Sequence, residues 1–96
     1  MDHIRANELM DLYGALLTAR QLEIVKLYFQ EDFSLSEIQE ELSISKAAVS
    51  DALRKSVQSM EKYEAILHLH QKNQMLLSLK KQHPELADEI DALLSL

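Results

Sequence analysis

The sequence predicts an all-α fold, with two short helices around a tight turn, a long helix and a C-terminal helical extension. Three observations carry that prediction. Glycine and proline occur once each in 96 residues, so little interrupts a helix. Aromatic residues are only 5% of the chain and β-branched runs are absent, which leaves no strand candidate. Apolar residues recur at three- and four-residue intervals in nearly every segment. With 47% hydrophobic and 27% charged residues, the composition suits a single globular core,.

The spacing predicts a first helix over 4–17, with Leu9, Leu12, Tyr13, Leu16 and Leu17 on one apolar face,. Gly14 falls inside it, at a cost of about 1 kcal/mol against alanine. Two readings of that glycine stand: it permits close approach of another helix, or it is an incidental weakness. Thr18-Ala19-Arg20-Gln21 has the form of a capping box and opens a second helix,. Leu22, Val25, Tyr28 and Phe29 form its buried side. Gln30 to Phe33 make a short connection, with Phe33 placed as a hydrophobic staple before the next cap.

The stretch Ser34 to Lys55, SLSEIQEELSISKAAVSDALRK, organises the rest. Ile38, Leu42, Ile44, Val49 and Ala52 fall where two short helices crossing steeply must bury side chains against each other. Ser34 is the expected N-cap of the first, with Glu37 completing a capping box. Ser45 is the expected N-cap of the second. Leu42-Ser43-Ile44 make the turn between them, and Ser43 stands where backbone with positive φ usually calls for glycine. Gln39 occupies a close-approach position that usually holds alanine. Either its amide bends outward or the two helices sit further apart. The pattern is a helix-turn-helix.

From Lys46 to about Gln82 there is neither glycine nor proline, so one long helix is expected. Leu53, Val57, Met60, Tyr63 and Leu67 alternate spacings of four and three, the seam of a helix that packs on another. Ile66, Leu69, Leu76, Leu77 and Leu79 add a second stripe, more than a small N-terminal core needs, and imply a partner helix. His83-Pro84-Glu85 reads as a break with proline in the first turn of a last helix. Leu86, Ile90, Leu93 and Leu94 give that helix an apolar face, solvated on the other side by Asp88, Glu89 and Asp91. Residues 1–62 are therefore expected to form a helix-turn-helix domain and 63–96 an extension that dimerises. The expected interface is Tyr63, Ile66, Leu67, Leu69, Leu76, Leu77, Leu86, Ile90, Leu93 and Leu94, a second copy being the commonest partner of such a stripe.

Charge and composition narrow the chemistry. The formal net charge of -6 argues against nucleic acid, because duplex binding rests on cations that displace counterions,. Its distribution softens the objection. Residues 1–44 hold three basic and nine acidic side chains, a net of -6; residues 45–62 hold four and two, a net of +2; residues 63–96 hold three and five, a net of -2. The only net-positive segment is the second helix of the motif and its continuation.

Cysteine is absent, which removes disulfides, thiolate ligands and cysteine nucleophiles. His68 and His70 are two apart and diverge on a helix, and His3 and His83 lie in terminal or connecting stretches, so no metal or other cofactor is expected. Glu40-Glu41 and Asp88-Glu89 are adjacent and also diverge, offering no catalytic pair. Met60 and Met75 read as core or interface filler. No segment approaches the roughly 18 apolar residues of a membrane span, and no secretory leader is evident. A cytoplasmic, non-enzymatic protein is the expectation.

Taken together, Leu16-Leu17-Thr18, Tyr28, Asp32, Ser34-Leu35, Glu37-Ile38, Ser45, Ala48-Val49, Asp51 and Glu61-Tyr63-Glu64 resemble the fourth region of bacterial sigma factors and, more closely, the YlxM-type family of small bacterial proteins. The resemblance covers nearly the whole chain, although no single motif in it is diagnostic. It implies an all-helical fold, dimerisation through the C-terminal helices and no enzymatic activity. It also implies a regulatory link to the signal recognition particle pathway, beside whose components such proteins are typically encoded.

If the second helix of the motif enters a major groove, Ser45, Lys46, Ala47, Ser50, Asp51, Arg54 and Lys55 face the nucleic acid. Lys46, Arg54 and Lys55 would donate to phosphates or bases, and Ser50 could bond to either. Asp51 is discordant: it could accept from cytosine, or pair with Lys55 four residues on. Two functions follow. One is a dimeric DNA-binding regulator; the other is an interaction protein that keeps the motif as a scaffold and binds a protein or RNA component of the signal recognition particle pathway.

Overall fold

Asp2 starts the first helix by accepting from the Arg5 N–H at 2.8 Å, replacing a missing intrahelical partner,. From there the computed structural model describes residues 1–96 as six α-helices without a strand. They are α1 (His3–Tyr13), α2 (Ala19–Phe29), α3 (Leu35–Leu42), α4 (Lys46–Leu67), α5 (Leu69–Gln82) and α6 (Ala87–Leu94), with 3-10 turns at Gly14–Leu16 and Pro84–Leu86. The all-α prediction holds.

Helix α1 is shorter than its periodicity predicts. Its α geometry stops at Tyr13, and the Leu17 N–H closes a 3-10 turn on the Gly14 carbonyl at 3.1 Å. Leu16, expected on the buried face, is 54% exposed as a result. Gly14 has φ -57°, so it answers no backbone demand. A Cβ there would lie 3.2 Å from Leu22 Cδ1, which favours close approach over incidental weakness. Thr18 then caps α2 through a full capping box, accepting from the Gln21 N–H at 3.1 Å while its own N–H donates to Gln21 Oε1 at 3.0 Å,.

Two apolar clusters hold the N-terminal part. The larger joins Ala6, Leu9, Met10 and Tyr13 of α1 to Val25 and Phe29 of α2 and Met60 of α4. Leu22, Tyr28, Leu53, Val57 and Tyr63 pack against it. The smaller joins Ile24 of α2 to Ile38 of α3 and Val49 of α4, with Phe33, Leu42, Ile44 and Ala52 around it. Each fully buried aliphatic side chain here contributes about 1.5–3 kcal/mol. Ile24 is buried outside the expected face of α2, because that helix packs on two sides, against α1 and against the motif.

The single long helix expected from Lys46 to Gln82 is two helices. Helix α4 ends at Leu67, His68 adopts left-handed backbone with φ 55° and ψ 30°, and α5 begins at Leu69. A non-glycine residue in that region costs roughly 1 kcal/mol or more, so something must hold the bend. The holding groups are Tyr13 and Glu64, both buried. The Tyr13 hydroxyl donates to Glu64 Oε1 at 2.6 Å and accepts from the Leu69 N–H at 3.2 Å. Glu64 also accepts from the His70 N–H at 2.9 Å and the Gln71 N–H at 3.1 Å. A carboxylate from the end of one helix thus caps the start of the next, where the helix dipole favours negative charge.

Beyond the bend, α5 and α6 form a hairpin that is barely buried. No residue of α5 is buried, and Ile90 alone is buried in α6. The Lys80 ammonium reaches Asp91 at 2.7 Å across the hairpin. The radius of gyration, 16.2 Å, exceeds the roughly 12.5 Å of a compact domain of this length, as expected for a projecting arm.

Candidate nucleic-acid interface

Local chemistry builds the helix-turn-helix as its sequence requires. The Ser34 hydroxyl accepts from the Glu37 N–H at 3.1 Å, and the Ser34 N–H donates to Glu37 Oε1 at 3.0 Å. Ser43 closes α3 in left-handed backbone, φ 55° and ψ 43°, where glycine would be free of strain. Gln39 is half-buried, so part of its side chain reaches solvent. The Ser45 hydroxyl accepts from the Ala48 N–H at 3.0 Å and starts α4.

The first turns of α4 stand in solvent. Val49 is fully buried beneath them, and Ala52 packs around the same cluster. Ser45, Lys46, Ala47, Ser50, Arg54 and Lys55 are exposed, while Asp51 is half-buried. The predicted residues therefore share one face of one helix. Their charges do not act separately. Asp51 Oδ1 lies 2.6 Å from Arg54 Nη2 and Asp51 Oδ2 lies 2.9 Å from Lys55 Nζ, so one carboxylate engages two of the three cations. The Lys55 and Arg54 partners hold the Asp51 carboxyl below its usual range. Lys46, at the start of the helix, is bound by no such pair.

Sequence reasoning found the Asp51–Lys55 pair from its four-residue spacing but missed Arg54, one turn away on the other flank. It also missed the groove beside the helix, lined by Met1, Tyr28, Phe29, Leu35, Leu53 and Val57, with Ser50 and Arg54 at its edge. That groove joins the N-terminal residue to three helices, α2, α3 and α4, and no local pattern announces it. On the preceding helix, Glu37, Glu40 and Glu41 are exposed, and this acidic flank opposes phosphate approach from that side.

The expected interface residues of the C-terminal part divide into two sets. Ile66, Leu67, Leu69, Leu77 and Leu93 are exposed, and Leu76, Leu86 and Leu94 are half-buried. Tyr63 packs within the chain, its ring 5.9 Å from that of Tyr13, and Ile90 is buried in the hairpin. Met75, 65% exposed, joins Leu76 and Leu79 along a shallow apolar groove that Lys72 borders. Three of the four histidines lie beside carboxylates: His3 by Asp32 at 3.3 Å, His70 by Glu8 at 3.2 Å and His83 by Glu85 at 3.2 Å. No helix is long and apolar enough to cross a membrane.

Two capped helices crossing at a left-handed serine, with the second presenting a solvated polar face, define a helix-turn-helix protein with a helical C-terminal arm. The chain belongs to the UPF0122 family, described as "Putative helix-turn-helix protein, YlxM / p13 like", whose model matches residues 1–93. A UPF0122 protein of Exiguobacterium sp. is 40% identical over 94 residues, covering 95% of this chain and 88% of its own. One from Streptococcus pneumoniae is 33% identical over 99 aligned residues, covering 96% and 90%. One from Latilactobacillus sakei is 51% identical over 67 residues, but the match spans 70% of this chain and only 59% of that protein.

Proposed function

We propose that this protein is a dimeric, cytoplasmic, non-enzymatic regulator that binds DNA through residues 45–55, with residues 1–62 as the binding domain and 63–96 as the dimerisation element. The observation that carries the reading is the face of α4. On a chain of net charge -6, the one net-positive segment supplies an exposed helix start with Ser45, Lys46, Ser50, Arg54 and Lys55 on it, which is the part of a helix-turn-helix that meets a groove. The arm supports the dimer: a hairpin with one buried residue and a row of exposed leucines gains most of its burial from a second copy,. Resemblance to the YlxM-type family supports extending the role to regulation of the signal recognition particle pathway.

The test is enrichment of genomic DNA fragments by the purified protein at moderate salt, with its mass in solution measured alongside. A dimer should enrich a two-fold-symmetric site. Lys46→Ala with Arg54→Ala should weaken binding and flatten its salt dependence by about 0.9 in log–log slope per lost phosphate contact. Unchanged affinity would remove both residues from the site.

A second reading is favoured by the Asp51 pairings and the acidic α3, which together mute the cationic face. In it the motif is a scaffold, and the exposed leucines of the arm bind a protein or ribonucleoprotein component of the same pathway. Leu67→Glu with Leu76→Glu would then abolish capture of that component by a folded protein, and retained capture would argue against the surface.

A further inference from the structure

The bend at His68 exchanges one set of hydrogen bonds for another. In a continuous helix the N–H groups of Leu69, His70 and Gln71 would donate to the carbonyls of Ala65, Ile66 and Leu67, four residues back. Here all three go elsewhere, to Tyr13 Oη, Glu64 Oε1 and Glu64 Oε2 at 3.2, 2.9 and 3.1 Å. The ladder resumes at once on either side. The His68 N–H donates to the Glu64 carbonyl at 2.8 Å, and the Lys72 N–H to the His68 carbonyl at 2.9 Å. Three helical acceptors are lost, and three oxygen atoms on two side chains replace them one for one.

Nothing in the sequence of the bend enforces it. Residues 46–82 contain no glycine or proline, and the residue that turns is a histidine in strained left-handed backbone,. The released carbonyls belong to exposed residues, within reach of water. The bent form is therefore held by side chains, a hydroxyl from α1 and the Glu64 carboxylate that the hydroxyl fixes. Around this latch, Glu8 faces the His70 ring at 3.2 Å, and Arg5 grips Glu61 one turn before Glu64 through two bonds of 3.0 Å. All of these ties run to α1.

We propose that residues 64–71 are a two-state hinge, latched in the bent form by Tyr13 and Glu64. When the latch opens, α4 and α5 join into one helix from Lys46 to Gln82 and the α5–α6 hairpin swings off α1. Leu69, His70 and Gln71 then recover their helical acceptors, and His68 leaves the left-handed region. Ile66 and Leu69, three residues apart but now on separate helices, come onto one face. The straight form thus offers a different apolar surface from the bent one. This inference does not depend on whether α4 binds DNA.

The chain lacks cysteine, so cysteines introduced at the exposed positions Gln58 and Ser78 can carry a unique pair of spin labels. Doubly labelled protein diluted into an excess of unlabelled protein reports the distance within one chain. Twenty residues of continuous helix separate the backbones at these positions by about 30 Å, and the bend shortens that. The unsubstituted latch should give a single distribution below the straight-helix value. Tyr13→Phe, which keeps the ring in the core, and Glu64→Gln should each add a population near about 30 Å with helix content by circular dichroism retained or raised. Adding His68→Gly, which relieves the left-handed residue, should reduce that population. Unchanged distances in both latch variants would overturn the proposal. So would a broadened distribution with falling helicity, which would mean that α5 unravels instead of straightening.

Discussion

The Tyr13 hydroxyl donates a 2.6 Å hydrogen bond to the carboxylate of Glu64 across 51 residues of sequence, and both side chains are buried. This pair joins the packing core to the C-terminal arm. Tyr13 contributes its ring to the larger apolar cluster and its oxygen to the α5 N-terminus. Burial and the adjacent carboxylate both raise the tyrosine above its usual range, so it stays protonated and donates throughout neutral pH.

Tyr13→Phe should therefore destabilise the protein without disturbing its core. The lost bond goes to a charged acceptor, a class worth about 1.5–3 kcal/mol. Urea unfolding followed by circular dichroism should show a lower midpoint, with the slope reduced to the extent that straightened chains already expose the arm. A midpoint equal to that of the parent would mean that the bond contributes nothing to stability.

Acid should act on the same place. Burial alone would raise the Glu64 carboxyl, but bonds from the Tyr13 hydroxyl and the His70 and Gln71 N–H groups outweigh it and hold it below its ordinary range. Glu61 is lowered chiefly by its bond from Arg5, with burial opposing. A carboxyl depressed in the folded state stabilises fully above its unfolded value, near about pH 4.3, and that contribution fades as pH falls through the folded value. Stability should decline below about pH 5, and in Glu64→Gln the decline should be shallower because one of the three depressed carboxyls, with Glu61 and Asp51, no longer titrates,. Parallel pH profiles of the parent and the variant would count against Glu64 as a source of the loss.

How much of this was legible in the sequence depends on how far apart the interacting residues lie. The caps at Thr18, Ser34 and Ser45 are local signals within four residues, and each forms as the pattern predicts. Ser43 was likewise readable, because a helix-turn-helix requires a left-handed residue there. The break at His68 was not. Its acceptors come from Tyr13, 56 residues from Leu69, and from a glutamate whose capping role points forward out of its own helix. Local propensity favours a continuous helix through His68, and tertiary hydrogen bonding overrides it. Ile24 was missed for a related reason: its partners Ile38 and Val49 lie on two later helices.

Ser43→Gly should stabilise the turn. Ser43 has φ 55°, a region that costs a non-glycine residue roughly 1–2 kcal/mol. Glycine removes that strain but adds about 0.5–1 kcal/mol of backbone entropy to the unfolded chain. The net gain should be about 0–1.5 kcal/mol, visible as a modest rise in Tm. A fall in Tm would show that the serine side chain compensates its own strain.

Asp51→Asn is the substitution that weighs most directly on the proposed DNA contact. In the free protein Asp51 holds both Arg54 and Lys55, at 2.6 and 2.9 Å, so a phosphate must compete with a carboxylate already in place. These pairs are solvated, and the carboxylate adds little to stability. Asparagine keeps the size of the side chain, removes its charge and raises the net charge of the segment by one. Thermal stability should therefore change little. If this face meets a phosphate backbone, affinity should increase and log–log salt dependence should steepen by about one unit, for specific and nonspecific duplexes alike. If Asp51 accepts from cytosine, the variant should instead lose discrimination at one base pair, worth about 1–3 kcal/mol, while its nonspecific binding still rises. No change in either measurement would separate this face from DNA and shift weight to the apolar arm.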